Sequence, residues 1–162
     1  DFCQNGWYYR SNKNEVCMSN ALELAFGYKK GGILSYIKNI TLYDHLVGTW
    51  KLLNEWKCST EVCNAGLFHS VYGTRIIDGI PRGETSLGCS RQEIEDVIGK
   101  EAEELVHIFC HSDKRDFDFF EMSEPHRSQL LTLSYANALE QGDDPNNKYW
   151  EKFKPYLLID ND

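Results

Sequence analysis

Apolar positions recur at helical spacing through most of this chain. The clearest run lies between residues 41 and 56, where Leu42, His45, Leu46, Thr49, Leu52, Leu53 and Trp56 fall on one face. That period predicts a helix with His45 on its buried side. After a break at Lys57 to Ser59, Val62, Gly66, His69 and Tyr72 or Gly73 share a face of a second helix. Ser59 is a good N-cap for it, and Glu61 stands in its first turn. The short turn between the two predicts antiparallel neighbours, with the two histidines facing each other across the pair. Helical bundles build metal sites in this way.

The rest of the chain reads as further helices. Ser19-Asn20 caps an expected helix over residues 21 to 28, which Lys29-Lys30-Gly31-Gly32 ends. Residues 75 to 89 hold Gly79, Pro81, Gly83 and Gly88 without helical period, and are expected to form a loop carrying Arg75, Arg82 and Glu84 beside the histidines. Ser90-Arg91-Gln92-Glu93 is a capping box opening one long amphipathic helix through Ile94, Val97, Ile98, Glu101, Leu105 and Phe109, with Gly99 weakening its middle. It exits into a polar cluster, His111-Ser112-Asp113-Lys114-Arg115-Asp116, which reads either as a charged helix end or as acid–base and phosphate-binding groups. Ser123-Glu124-Pro125 starts the next helix, which places Asn137 on the face of Leu130 and Leu133 and stops at Gly142. Asp143-Asp144-Pro145 is expected to cap a last helix through Trp150, Phe153, Tyr156 and Leu157. The expected fold is therefore all-α: an arm at residues 1–18 and one helical-bundle domain over 19–162.

Composition narrows the function classes. A chain of 162 residues suits one domain, and an aromatic content of 13% argues for a packed core. A formal charge of -8 disfavours a general nucleic-acid or anionic-membrane binder, but not a small phosphorylated substrate met by a local basic cluster. No run approaches a transmembrane helix in length. Of the six cysteines, Cys63 and Cys110 sit in apolar-periodic segments and read as buried thiols, which favours a reducing, cytoplasmic setting with secretion left open. No phosphate-cradling glycine loop, dinucleotide fingerprint, hydrolase serine elbow or H-E-x-x-H motif is present.

At Ala65-Gly66-Leu67-Phe68-His69-Ser70-Val71-Tyr72-Gly73-Thr74, preceded by His45 on the previous helix, the chain resembles the HD superfamily of helical metal-dependent phosphohydrolases. The branch it most resembles is the alarmone (guanosine tetraphosphate) hydrolases, and the likeness extends through Ile94 to Val106, covering roughly residues 36 to 141. The resemblance implies that His45 and His69 are metal ligands. It also implies a distal ligand near Leu131 to Asn137, where Asn137 or Ser134 stands in place of the family's aspartate. The family's His-Asp pair is His69-Ser70 here, and its acidic pair is Tyr72-Gly73. A neutral hydroxyl or amide binds a hard divalent ion more weakly than a carboxylate does.

Three functions follow. The first is metal-assisted hydrolysis, or iron–oxygen chemistry, on a small anionic molecule. Manganese, iron or zinc would be held by His45 and His69, with Asp113, Asn137 or His111 completing the set and Arg75, Lys114 or Arg115 neutralising the substrate. The second is a metal-free isomerase, lyase or cyclase in which a histidine acts as general base and Ser70, Tyr72 and Asn137 orient the substrate. The third is a non-catalytic helical binding domain. The expected partner is a small-molecule substrate, with homo-oligomerisation left open and no nucleic acid, membrane or nucleotide cofactor.

Overall fold

The computed structural model describes residues 42–72, 74–77, 80–82, 90–111 and 119–160. The expected arm, the helix over 21 to 28, and the Asp113, Lys114 and Arg115 cluster lie outside these residues. What is described is an all-α bundle carrying one small hairpin. Its elements are α1 (Leu42–Glu55), α2 (Thr60–Phe68), β1 (Thr74–Ile77), β2 (Ile80–Arg82), α3 (Arg91–Ile98), α4 (Lys100–His111), α5 (His126–Glu140), α6 (Lys148–Glu151) and a 3₁₀ turn at Lys154–Tyr156.

Helix α2 is the centre. Every residue from Val62 to Phe68 is buried, so this helix is enclosed on all sides rather than amphipathic. It packs on α1, α4 and α5. Gly66 permits the tightest approach: a Cβ there would lie 2.3 Å from Leu53 Cδ1 of α1. His45, near the start of α1, meets His69, just past the end of α2, so the two helices run antiparallel as their spacing predicted. Phe68, Leu46, Leu53, Leu105, Leu130 and Leu131 are fully buried around this pair.

The ends of α1 and α5 are set by the same backbone device. At the end of α1, Lys57 takes a left-handed φ of 57°, and the N–H groups of Lys57 and Cys58 return to the carbonyls of Asn54 and Leu53. At the end of α5, Gly142 has φ 99°, and the N–H groups of Gly142 and Asp143 return to Leu139 and Ala138. The start of α5 is tied by Glu124, whose carboxylate accepts from the Ser128 backbone N–H at 2.9 Å and its hydroxyl at 2.6 Å. The capping box at Ser90 and Glu93 is formed as expected.

Three expectations need correction. The segment after residue 74 is not wholly a loop. Thr74–Ile77 and Ile80–Arg82 pair antiparallel, with Ile77 opposite Ile80 and an irregularity between Thr74 and Ile76. β-branched residues flank an Asp-Gly dipeptide there, a sequence that favours two-residue hairpin connections, and Pro81 is tolerated because a two-stranded sheet is all edge. The long helix after Ser90 is two helices, since Gly99 with φ 91° closes α3 and α4 begins at Lys100. The last helix is a single turn capped by Asn147, followed by the 3₁₀ turn where Pro155 removes a backbone donor.

The C-terminal strand of chain is stitched back onto the bundle. Asp160 N–H donates to Trp56 O at 3.0 Å, Leu158 N–H to Thr132 Oγ1 at 2.8 Å, and the Cys58 thiol to Leu158 O at 3.1 Å. Cys63 and Cys110 are buried, as their periodicity indicated, and so is Cys58. Among the described residues no helix is long and apolar enough to cross a membrane.

Candidate functional site

Three helices bring four polar side chains together inside this apolar bundle. α1 supplies His45, the C-terminal end of α2 supplies His69, and α5 supplies Asn137 and, one turn on, Glu140. His45, His69 and Asn137 are each less than 5% exposed. His45 Nε2 lies 3.3 Å from His69 Nε2 and 2.8 Å from Asn137 Oδ1. The two imidazole planes meet edge to face at 87°.

The opposite ring nitrogen is fixed in both histidines. His69 is the C-cap of α2, and its Nδ1–H donates to Gly66 O at 2.6 Å, satisfying a carbonyl the helix end leaves open. Its own carbonyl accepts from the Cys110 thiol at 2.8 Å, and its ring rests edge-on against Phe109. His45 Nδ1–H donates to Glu140 Oε1 at 3.0 Å. A carbonyl and a carboxylate only accept, so each Nδ1 carries its proton. If both rings are neutral, two Nε2 lone pairs and the Asn137 carbonyl oxygen face one another in a buried space. Three atoms with lone pairs thus converge, an arrangement that either a cation or a proton shared between the rings would suit.

Two serines close in sequence to these residues carry buried hydroxyls. Ser70 follows His69, and Ser134 stands one turn before Asn137 on α5. Among the described residues neither hydroxyl has a hydrogen-bond partner. Buried unpaired hydroxyls are uncommon and point to a water, ion or ligand.

Tyr72 is not part of this cluster. Its hydroxyl donates to Glu103 Oε2 at 2.7 Å, and its ring packs edge-on against His107. Arg91 completes the network with a fork onto Glu103, Nε to Oε2 at 2.9 Å and Nη2 to Oε1 at 2.8 Å. Burial alone would push the Glu103 carboxyl up. The Arg91 fork and the Tyr72 hydroxyl outweigh it and hold the carboxyl below its ordinary range. Burial, then the hydrogen bond to anionic Glu103, pushes the Tyr72 phenol well above its ordinary value of 10.0. This network ties the segment after α2 to α3 and α4, with the Tyr72 hydroxyl on Glu103 rather than on the histidine pair.

Of the site residues expected from sequence, the structure thus unites His45, His69 and Asn137, with Ser70 adjacent and Tyr72 turned elsewhere. Arg75 lies in β1. His111 closes α4, and Asp113 lies outside the described residues. Glu140 was missed. Its signal was present, because Asn137 and Glu140 are three apart and share a helix face, but a glutamate in the last turn of a helix ordinarily reads as solvated. Among the described residues, no three or more His, Cys, Asp or Glu side chains group in a way that would hold a metal ion; the third donor beside the histidines is the Asn137 amide oxygen.

No curated protein and no solved structure matches the chain. A family match covers residues 33–114, a span that takes in α1 through α4 with both histidines and stops before Asn137 and Glu140. That family is described as "Domain of unknown function (DUF6817)", and the chain belongs to it.

Proposed function

We propose that His45, His69 and Asn137 form an HD-like centre that holds a divalent cation and acts on a small anionic molecule. The observation that carries this reading is the convergence of three Lewis-basic atoms whose ring partners are already fixed. The spacings support it: donors about 2.1 Å from a tetrahedral or octahedral ion stand about 3.0–3.4 Å apart, close to the 3.3 Å and 2.8 Å found here. Two imidazoles and one amide oxygen suit zinc, iron or manganese and leave positions open for substrate. When bound, such an ion supplies Lewis acidity toward a phosphoryl or carbonyl oxygen.

The protein's own groups do the rest. The Gly66 carbonyl and the Glu140 carboxylate keep both Nδ1 protons in place and aim both Nε2 atoms inward. The apolar walls, Phe109 among them, exclude water from the histidine pair. The buried Ser70 and Ser134 hydroxyls are available to donate to a substrate oxygen. The three residues are also those at which the chain resembles the HD pattern, including the distal position on α5.

A second reading draws on Glu140. A carboxylate 3.0 Å from His45 Nδ1 also suits an imidazolium, so the same atoms could hold a proton and perform metal-free acid–base chemistry. Elemental analysis separates the two. Protein purified without chelator and incubated with zinc, manganese or iron(II) should retain one ion per chain, and the His45→Ala/His69→Ala variant none. Absence of retained metal from the parent would remove the metal reading and leave the acid–base one.

A further inference from the structure

Gly48 lies one turn after His45, in the middle of α1, where glycine is a poor helix former. Its missing side chain is filled from another helix. A Cβ at Gly48 would lie 2.4 Å from Glu140 Oε2 and 2.8 Å from Glu140 Cδ, so the carboxylate of α5 occupies the space a side chain would take. Seated there, Glu140 is only 18% exposed and reaches His45 Nδ1 with its other oxygen, Oε1.

We infer that Glu140, admitted by Gly48, is the positioning residue of this centre: it holds the proton on His45 Nδ1 and so directs the Nε2 lone pair toward His69 and Asn137. The chemistry is specific. Among the contacts of His45 with the described residues, only this one has an anionic acceptor. Without it, no described residue on that side of the ring selects one tautomer over the other, and rotation about Cβ–Cγ would carry Nε2 off the cluster. The carboxylate also adds negative charge to a donor set that is otherwise neutral, which raises the basicity of His45 as a ligand. The functional meaning of this inference rests on the cation-holding reading above; the tautomer does not.

The test is nuclear magnetic resonance of ¹⁵N-histidine-labelled protein at one fixed pH, without metal, on the parent and on Glu140→Gln, Glu140→Ala and Gly48→Ala. In the parent, His45 should show a protonated, slowly exchanging Nδ1. Glu140→Gln keeps an acceptor oxygen and should preserve that signal. Glu140→Ala and Gly48→Ala should lose it. In Gly48→Ala the bundle stays folded, because the group that must move is the end of a flexible side chain. Zinc affinity should fall in the order parent, Gln, Ala, with the Ala loss about 10- to 100-fold. An unprotonated Nδ1 in the parent, or a signal unchanged in both Glu140→Ala and Gly48→Ala, would overturn the inference. A parent that binds no zinc but shows the expected tautomer pattern would instead overturn only the cation-holding reading.

Discussion

Nε2 of His45 and Nε2 of His69 face each other at 3.3 Å across the α1–α2 pair, with the far nitrogen of each ring already committed to an acceptor. A cation or a proton between two such nitrogens draws on both lone pairs. Asn137 adds its Oδ1 on the third side, 2.8 Å from His45 Nε2. A carboxylate at position 137 should therefore sharpen whatever preference the centre has for a cation. Asn137→Asp is expected to raise zinc or manganese affinity at least about tenfold, since an anionic oxygen is a far better ligand than an amide. Isothermal titration of the parent and the variant decides it; equal affinities would mean that residue 137 is not a ligand.

The two buried-face glycines of the core pair should respond differently to one substitution. Gly66→Ala drives a methyl into Leu53, itself fully buried, and is expected to destabilise by about 1–3 kcal/mol. Gly48→Ala meets only the mobile end of Glu140, and the gain in helix propensity is worth up to about 1 kcal/mol. Urea denaturation should find Gly66→Ala clearly weakened and Gly48→Ala within about 1 kcal/mol of the parent, its gain in helix propensity offset by the lost Glu140–His45 hydrogen bond.

The Tyr72–Glu103–Arg91 network predicts a particular pH dependence. Glu103 has its folded-state carboxyl held below the ordinary 4.5, so its contribution is present above that pH and is lost as pH falls through the folded value. Tyr72 is raised above 10.0, so its contribution is present below that pH and is lost as pH rises beyond it. Glu103→Gln should flatten the acid limb of the stability–pH curve. Glu103→Ala, which strips the Tyr72 hydroxyl of its acceptor, should cost about 1–3 kcal/mol near neutrality. Chemical denaturation across pH measures both.

Lys57 carries a left-handed φ of 57° at the C-terminus of α1, where a Cβ is disfavoured. Lys57→Gly keeps the backbone hydrogen bonds that close the helix and is expected to raise stability by about 0.5–1 kcal/mol. A drop in melting temperature would show that the lysine side chain contributes more than its backbone conformation costs.

Much of this architecture was legible because burial repeats with the helical period. His45, Thr49 and Leu53 recur every four positions with Leu46 beside them on the same face, and all four are buried. The same period on α5 put Asn137 inward, next to the histidine it touches. What stayed hidden depends on contacts between elements or on local backbone geometry. Glu140 looks like a solvated helix-end charge until α1 is laid against α5 and the gap at Gly48 becomes visible. Tyr72 shares a helical face with His69 in sequence, yet α2 ends at Phe68 and the turn that follows sends the phenol to Glu103. Gly99 read as a weak point within one helix, but its positive φ divides two. The hairpin was concealed by the glycines and proline that also mark loops.

The most direct test of the central claim is X-ray absorption at the zinc edge of the metal-loaded parent. The proposed cation centre predicts one zinc per chain with two imidazole ligands and the remaining positions light oxygen donors, and loss of one imidazole shell in His45→Ala. A spectrum of hydrated zinc without imidazole scattering, or the same spectrum in the parent and in His45→Ala, would contradict the assignment of this centre to a bound cation.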